Sequence, residues 1–261
     1  MCRLLGYLGS PIQLDSLLYQ PDHSLIAQSY QPREMTAGLL NADGFGVGWY
    51  HAEREVEPFT YKNTLPIWND VNLPQVSRYV ESRCVLASVR SATPGLAVDL
   101  TNCQPFRWGQ ILGIHNGYIE NFRRTLCRPI RTQLSEMAYQ VIEGTTDSEH
   151  IFALLIDIWQ TTATTLEQAL HKTLITLADL AQEYEVTLSA NIVISDGTQM
   201  VASRFANRCQ TPSLYWLQED SKLSQGIAIA SEPLFSGNWV SFPERSILSV
   251  GPDLKIKIEQ F

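Results

Sequence analysis

The sequence lacks the long apolar run that a membrane-spanning helix requires. Such a helix takes roughly 18 to 20 apolar residues, and the most apolar helical stretch, Ile151 to Trp159, is interrupted by Asp157. There is also no run of Lys or Arg, and 27 acidic against 19 basic residues give a net charge of −8. An acidic chain of this kind does not attract nucleic acid or anionic lipid electrostatically. We therefore expect a small-molecule substrate, and neither nucleic acid nor a membrane as a partner.

Motifs for metal ions and phosphate-bearing cofactors are missing as well. The five histidines never fall at zinc-ligand spacing, and the five cysteines form no C-x-x-C pair, so a zinc site is not indicated. Gly44, Gly46 and Gly48 lack the G-x-G-x-x-G spacing of dinucleotide-binding loops, and no P-loop occurs. These glycines indicate instead a buried strand that another backbone approaches closely. We expect neither a metal nor a cofactor.

The N-terminal segment carries no export signal, because Met1 to Gly9 lacks a basic region followed by a long apolar segment. An odd number of scattered cysteines does not fit a disulfide framework. Both features predict a cytoplasmic protein. Neither a repeat nor a linker interrupts the 261 residues, which predicts one domain over residues 1–261. The oligomeric state stays open.

Strands are predicted in the first part of the chain, then two consecutive helices, then strands again. One helix begins near Asp147, and the next has Thr164 and Glu167 at capping-box spacing and leucines on one face. After these helices, Asp196-Gly197 between two β-rich runs predicts a hairpin. This order predicts an α+β fold with helices layered on antiparallel sheets, rather than a doubly wound parallel sheet.

Cys2 is the most informative single residue. If Met1 is removed, the mature chain begins with a cysteine that carries both a thiol and a free α-amine. The α-amine has an ordinary pKa of about 7.7 to 8.0 and the thiol one of about 8.5, so the amine can act as general base for its own nucleophile near neutral pH. Taken alone, cysteine at the second position also occurs by chance.

Four further residues are candidates for binding or catalysis. The amide of Asn116 and the N–H of Gly117 offer two donors for an oxyanion, although Asn-Gly after a predicted strand also indicates an ordinary tight turn. Arg90 ends an apolar strand, where a guanidinium needs an anion; a substrate α-carboxylate and a structural salt bridge both satisfy that need. Asp147 precedes a helix, so it is either the N-cap or an acceptor for a substrate ammonium.

Taken together and in this order, these segments resemble the class II glutamine amidotransferase domain over most of the chain. The segments that carry the resemblance are Cys2, Asn41 to Trp49, Arg90 to Gly95, His115 to Gly117, Thr146 to Glu149 and Ala230 to Leu234. The resemblance implies an N-terminal-nucleophile hydrolase fold, a four-layer αββα sandwich with two antiparallel sheets.

The resemblance also implies a role for each candidate residue. Cys2 would attack the γ-carbonyl of a glutamyl amide and form a thioester, with Asn116 and Gly117 as the oxyanion hole. Arg90 would hold the α-carboxylate with Thr93 nearby, and Asp147 would hold the α-ammonium. These contacts read only the γ-glutamyl half of the substrate, so the leaving group stays open.

One departure narrows the assignment within the class. Pro94 stands where glutamine-dependent synthases usually have a histidine after the threonine of the Arg-x-x-Thr stretch. We also expect no synthase domain in a chain of 261 residues. The N-terminal nine residues, the segments at His23 and Pro66, and Arg90 to Gly95 resemble most the γ-glutamyl amidohydrolases of ergothioneine biosynthesis. Those enzymes hydrolyse the glutamyl group from γ-glutamyl-hercynylcysteine sulfoxide.

Two alternatives remain at this stage. One is a stand-alone glutaminase subunit that supplies ammonia to a separate synthetase partner. The other is a non-catalytic member of the fold that binds a γ-glutamyl metabolite or a protein partner. Separately from both, a homo-oligomer stays open.

Overall fold

A computed structural model describes residues 2–35, 38–51, 55–92, 95, 97–223 and 225–261. Met1, Thr93 and Pro94, which the sequence analysis singles out, lie outside these ranges. Within them, no helix is both long and apolar enough to cross a membrane.

The first sheet contains seven antiparallel strands, and the N-terminal strand lies inside it. The strands are β1 (Arg3–Gln13), β2 (Phe45–His51), β3 (Glu55–Asn63), β4 (Glu81–Val89), β10 (Tyr215–Gln218), β11 (Ile227–Ala230) and β12 (Val240–Ser241). Their order is β12-β10-β11-β1-β4-β2-β3. Strand β1 is therefore held on both sides, by β4 and by the distant β11.

The second sheet also has seven strands in the described ranges. They are β5 (Phe106–Trp108), β6 (Ile111–Ile119), β7 (Leu188–Ser195), β8 (Met200–Arg204), β9 (Ala206–Asn207), β13 (Ser246–Val250) and β14 (Ile256–Gln260). Six follow the order β14-β13-β8-β7-β6-β5, and β9 pairs with β7. Strands β7 and β8 form the hairpin that Asp196-Gly197 predicts, with Gly197 at φ +91°.

Helices cover the outer face of each sheet. Against the first sheet pack α1 (Leu14–Leu18), α2 (Leu25–Tyr30) and α3 (Leu73–Tyr79). On the second sheet lie α6 (Asp147–Thr162) and α7 (Leu166–Glu183), while α4 (Cys127–Gln133) and α5 (Glu136–Tyr139) pack against α6. Both helices predicted from the sequence are found, as α6 and α7.

The predicted capping box of α7 is wrong by one residue. Thr165, rather than Thr164, accepts the hydrogen bond from the main chain of Gln168, and the Gln168 side chain returns to the N-cap. The apolar stripe begins at Leu166, so the N-cap must be the residue directly before it, and glutamine serves at the third helical position as well as glutamate does.

The buried apolar residues form three clusters, which define four layers. One cluster lies between the first sheet and its helices, and another lies between the second sheet and α6 and α7. The third joins the facing sides of the two sheets, with Leu4 and Leu86 on one side and Leu112 and Val193 on the other. The predicted α+β sandwich with two antiparallel sheets is confirmed.

The glycine run around β2 lies against the segment that leads into β5. A Cβ atom on Gly46 would stand 2.1 Å from the main-chain oxygen of Gln104. The prediction of a buried strand approached by another backbone is therefore confirmed at this residue.

Candidate active site

Side chains at the start of β1 alternate between the two faces of the first sheet, so the candidate nucleophile Cys2 and its neighbour Arg3 lie on opposite faces. Leu4 packs between the sheets, whereas Leu5 packs toward the helices of the first sheet. Successive side chains of a strand point to opposite faces, so Arg3 faces the helices, and the same alternation puts Cys2 on the inter-sheet side. The Cys2 thiol is half-buried and free. The candidate nucleophile thus stands at one end of the layer between the sheets.

Arg90 follows β4 directly and lies beside Cys2. The last pair of β1 and β4 is Arg3 with Val89, so the same register places Cys2 opposite Arg90, one residue beyond each strand. The buried guanidinium donates hydrogen bonds to the main-chain oxygens of Asp43, at 3.2 Å, and Ala97, at 3.4 Å. Among the residues with described positions, no carboxylate forms an ion pair with it. The structural salt bridge that the sequence left open is not found there.

Asn116 lies on the inter-sheet side of β6 and reaches toward β1. Its side chain is fully buried, and its Nδ2 lies 3.4 Å from the hydroxyl oxygen of Ser231. The same hydroxyl accepts a hydrogen bond from the main chain of Leu4 at 3.0 Å. One hydroxyl group therefore connects the candidate oxyanion amide to the strand that carries Cys2.

The tight turn predicted at Asn116-Gly117 is wrong, because β6 continues through both residues to Ile119. Eight consecutive pairings with β7 extend over this segment, and the regular ladder outweighs the local turn preference of Asn-Gly. Glycine is required at 117 for a different reason. A Cβ atom there would stand 2.0 Å from the main-chain oxygen of Ser189.

The N–H of Gly117 lies on the free edge of β6, between two N–H groups that have side-chain partners. His115 donates its main-chain N–H to Gln104, and Ile119 donates to the carboxylate of Asp147 at 2.8 Å. Alternate residues of a strand direct their N–H groups to the same side, so the Gly117 N–H points to that side too. No acceptor for it occurs among the described residues. A backbone donor without a partner is what an incoming oxyanion requires.

Asp147 is the first residue of α6, and the N-cap is Thr146. The predicted N-cap role of Asp147 is therefore wrong. Its two carboxylate oxygens accept hydrogen bonds from the main chains of Ile119 and Ser148, each at 2.8 Å. These bonds hold the start of α6 against the end of β6, so Asp147 lies next to the Asn116-Gly117 pair.

A hydrogen-bonded segment connects the neighbourhood of Arg90 to that of Asp147. The main-chain oxygen of Ala97 accepts hydrogen bonds from Arg90 and from the amide of Asn102 at 3.2 Å. The carbonyl oxygen of the Asn102 side chain then accepts from the main chain of Thr145 at 2.9 Å. The structure thereby brings Cys2, Arg90, Asn116, Gly117 and Asp147 to one end of the molecule. Thr93 lies outside the described residues.

A buried ionic cluster supports this end of the first sheet from its helix side. The carboxylate of Glu232 lies 3.4 Å from the guanidinium of Arg3 and 2.7 Å from His23 Nε2. It also accepts main-chain hydrogen bonds from Arg33 and Glu34. Burial alone would raise the pKa of Glu232, but the hydrogen bonds and the Arg3 charge lower it below its ordinary value. The carboxylate is therefore ionised.

Sequence reasoning missed this cluster and Ser231. Two signals were present: an arginine inside an otherwise apolar N-terminal strand, and Ser-Glu directly after the apolar run at 226–230. A buried arginine needs an anion, but the partner stands more than two hundred positions along the chain, so spacing alone could not supply it. Among the described residues there is also no group of three or more His, Cys, Asp and Glu side chains suited to a metal ion.

Comparison with known proteins assigns the chain to a family. The model for class-II glutamine amidotransferases matches residues 1–213. The chain belongs to that family, and the predicted resemblance is confirmed.

Two curated relatives are each 30% identical to the chain. One is the γ-glutamyl-hercynylcysteine sulfoxide hydrolase of Mycolicibacterium smegmatis, with 96% of each chain covered. The other is a probable glutamine amidotransferase of Saccharomyces cerevisiae, DUG3, with 96% of this chain and 82% of that protein covered. Since the relatives are named as hydrolases and amidotransferases, the prediction of an enzyme that acts on a γ-glutamyl amide is confirmed at that level.

Solved structures share the fold. A class-II domain protein from Silicibacter pomeroyi superposes with a TM-score of 0.72 at 24% identity, over 100% of this chain and 99% of that one. The phosphoribosylpyrophosphate amidotransferase of Bacillus subtilis superposes with a TM-score of 0.67 at 17% identity. That match covers 99% of this chain but only 49% of the other.

Proposed function

We propose that the chain hydrolyses the γ-glutamyl amide bond of γ-glutamyl-hercynylcysteine sulfoxide and releases glutamate, as a cytoplasmic step of ergothioneine biosynthesis. The observation that carries the proposal is the convergence of Cys2, Arg90 and the unpartnered Gly117 N–H at one end of the inter-sheet layer. The substrate itself is supported by the relative of that name, which matches 96% of the chain.

The reaction begins at Cys2 once Met1 has been removed. The free α-amine takes the thiol proton, and the sulfur attacks the γ-carbonyl carbon. The carbonyl oxygen then carries negative charge, which the N–H groups of Asn116 and Gly117 stabilise. Collapse of this intermediate breaks the C–N bond, the protonated α-amine donates its proton to the leaving nitrogen, and a thioester remains on Cys2. Water then attacks the thioester and releases glutamate.

Arg90 and Asp147 bind the other end of the γ-glutamyl group. Arg90 uses two of its five N–H groups on main-chain oxygens, so the guanidinium keeps donors for a substrate α-carboxylate. The carboxylate of Asp147 accepts two short main-chain bonds and retains lone pairs for an α-ammonium. Thr93 is proposed to contribute beside Arg90.

A second candidate function is a glutaminase that supplies ammonia to a partner synthetase. It is favoured by the yeast relative, which is named as a probable glutamine amidotransferase. The two functions share the chemistry at Cys2 and differ in the leaving group, so the substrate panel separates them.

The test is glutamate release by purified protein whose intact mass shows that Met1 is absent. The panel consists of glutamine, glutathione and γ-glutamyl-hercynylcysteine sulfoxide, each measured also with Cys2→Ala. We expect turnover of the sulfoxide, none by Cys2→Ala, and a kcat about 10² to 10³ lower for Asn116→Ala. Turnover of glutamine alone would favour the ammonia-supplying subunit. Full activity of Cys2→Ala, or of protein that retains Met1, would refute the mechanism.

A further inference from the structure

Ser231 is a buried residue next to the candidate site that has no role in the chemistry above. It directly follows β11 and is fully buried. Its main-chain N–H donates to the carbonyl of Leu4 at 3.0 Å, and its hydroxyl oxygen accepts from the N–H of Leu4 at 3.0 Å. The residue therefore continues the pairing of β11 with β1 to Leu4, which lies two positions after Cys2 on the same face of the strand.

Two polar groups at the contact of Ser231 with Asn116 have no hydrogen-bond partner among the described residues. Asn116 Nδ2 points at the Ser231 hydroxyl, whereas Asn116 Oδ1 is buried without a partner. The Ser231 hydroxyl proton also has no acceptor among the described residues. A hydroxyl group carries one proton as well as its lone pairs. Two groups that could satisfy each other, the O–H donor and the amide oxygen, are thus both left unpaired.

Exchanging the nitrogen and oxygen of the Asn116 amide removes both deficits. The two ends of the amide are nearly equal in size, so both orientations fit the same space and the hydrogen-bond network decides between them. In the exchanged orientation the Ser231 O–H donates to the amide oxygen, while its own lone pairs still accept from Leu4. At 3.4 Å the contact is long, and a small side-chain rotation shortens it. The NH2 group then points away from Ser231 and occupies the position that Asn116 Oδ1 has in the original orientation.

We propose that Ser231 is a positioning residue, which donates its hydroxyl proton to Asn116 and thereby directs the amide NH2 group at the oxyanion. The inference rests on the proposed function, in which the Asn116 amide stabilises the oxyanion. In the opposite orientation a carbonyl oxygen would occupy that position and repel the developing negative charge. A single hydroxyl thus selects the reactive orientation and joins the oxyanion amide to the strand of the nucleophile.

The test is a double-mutant cycle on kcat with Ser231→Ala, Asn116→Ala and the double variant, all checked for loss of Met1. We expect Ser231→Ala to lower kcat about ten-fold or more with little change in KM, less than the roughly 10² to 10³ lost with the amide itself. In the Asn116→Ala background the same substitution should change kcat less than two-fold, because no amide remains to be oriented. Equal effects in both backgrounds would overturn the proposal.

Further variants separate orientation from loss of structure. Ser231→Cys retains a weaker donor of similar shape and should fall between wild type and Ser231→Ala. Ser213→Ala is the matched control: Ser213 donates to the main-chain oxygen of Ser231 at 2.8 Å without contacting Asn116, and we expect its kcat to stay within two-fold of wild type. If Ser213→Ala lowers kcat as much as Ser231→Ala does, the effect comes from a general disturbance around Ser231 rather than from its hydroxyl group, and the proposal fails.

A second double-mutant cycle, on stability, tests the hydrogen bond between Ser231 and Asn116 without any substrate. The same variants are compared by urea unfolding, where a bonded pair gives a non-additive change in midpoint and an absent bond gives an additive one. Non-additive unfolding together with no glutamate release would refute the proposed function and retain the Ser231–Asn116 bond. Additive unfolding together with normal glutamate release would refute the bond and retain the function.

Discussion

Replacing Glu232 by alanine is expected to destabilise the protein more than any comparable change of a surface charge. Glu232 is only 1% exposed and lies against Arg3, which is fully buried. The arginine nitrogens have no hydrogen-bond partner among the described residues. Among the described residues, the Glu232 carboxylate is the anion that forms an ion pair with the guanidinium, at 3.4 Å, and so offsets its charge. Without it, a buried charge is left uncompensated.

The expected loss follows from that burial. Removing one partner of a buried ion pair costs about 3 to 5 kcal/mol, because the remaining charge stays out of water. The hydrogen bonds from the main chains of Arg33 and Glu34 add little, since both residues are exposed and water can replace the carboxylate there. A domain with a total stability of about 5 to 15 kcal/mol would lose a large part of it.

The assay is the free energy of unfolding in urea. Glu57→Ala is the matched control, because Glu57 pairs with Arg107 at 2.8 Å while the two side chains are 58% and 46% exposed; we expect a loss of about 0 to 1 kcal/mol. Adding Arg3→Met to Glu232→Ala should restore part of the stability by removing the orphaned charge. A loss below about 1 kcal/mol for Glu232→Ala, or no recovery in the double variant, would refute this reasoning.

The same cluster predicts how stability depends on pH. The pKa of Glu232 is lowered in the folded protein, since its hydrogen bonds and Arg3 outweigh the opposing effect of burial. The folded state therefore binds the carboxylate proton less readily than the unfolded chain does. Its contribution is complete above the ordinary glutamate pKa and is lost as the pH falls through the folded value.

Three further outcomes are expected. Arg90→Lys should raise KM more than it lowers kcat, because a lysine cannot grip a carboxylate with two parallel bonds; an unchanged KM would remove Arg90 from the site. Gly117→Ala should destabilise the fold by about 1 to 3 kcal/mol and lower kcat, since its Cβ would meet the Ser189 oxygen at 2.0 Å; wild-type values in both assays would contradict that crowding. Burial lowers the pKa of His150 to about 4 from an ordinary 6.5, so the unfolding free energy should fall by about 3 kcal/mol as the pH drops from 6.5 to 4. In His150→Gln this slope should be reduced by that amount, and an identical slope would show that another group is responsible.

Local patterns in the sequence predicted the elements that depend on near neighbours. The leucine spacing of α7 and the Asp-Gly hairpin are such cases, because their periodicity and turn chemistry lie within a few residues. Boundaries were less accurate: the cap of α7 moved by one residue, and a strand ladder overrode the turn at Asn116-Gly117. The ladder at Asn116-Gly117 reflects tertiary pairing that outweighs a weak local preference, whereas the cap of α7 follows from the start of the apolar stripe at Leu166.

The residues in and around the candidate site also divide into those that the sequence alone indicates and those that it does not. Cys2 and Arg90 could be selected from the sequence because each is unusual for its local setting, and the resemblance to the amidotransferase family added Asp147. Ser231 and Glu232 could not, since their importance comes from contacts with the N-terminal strand across the whole chain. The pairing of β1 with β11 in the first sheet brings Arg3 and Leu4 to Glu232 and Ser231, and no local pattern reports that pairing.

The supporting residues also explain why Cys2 faces the site rather than the core. Side chains alternate with a period of two, so a slip of β1 by one residue would exchange the faces of Cys2 and Arg3. The guanidinium would then occupy the inter-sheet site and leave Glu232 without its cation. The slip would also break the two main-chain bonds between Leu4 and Ser231. The Arg3–Glu232 pair and the Ser231 bonds therefore specify the register of β1, and through it the position of the thiol.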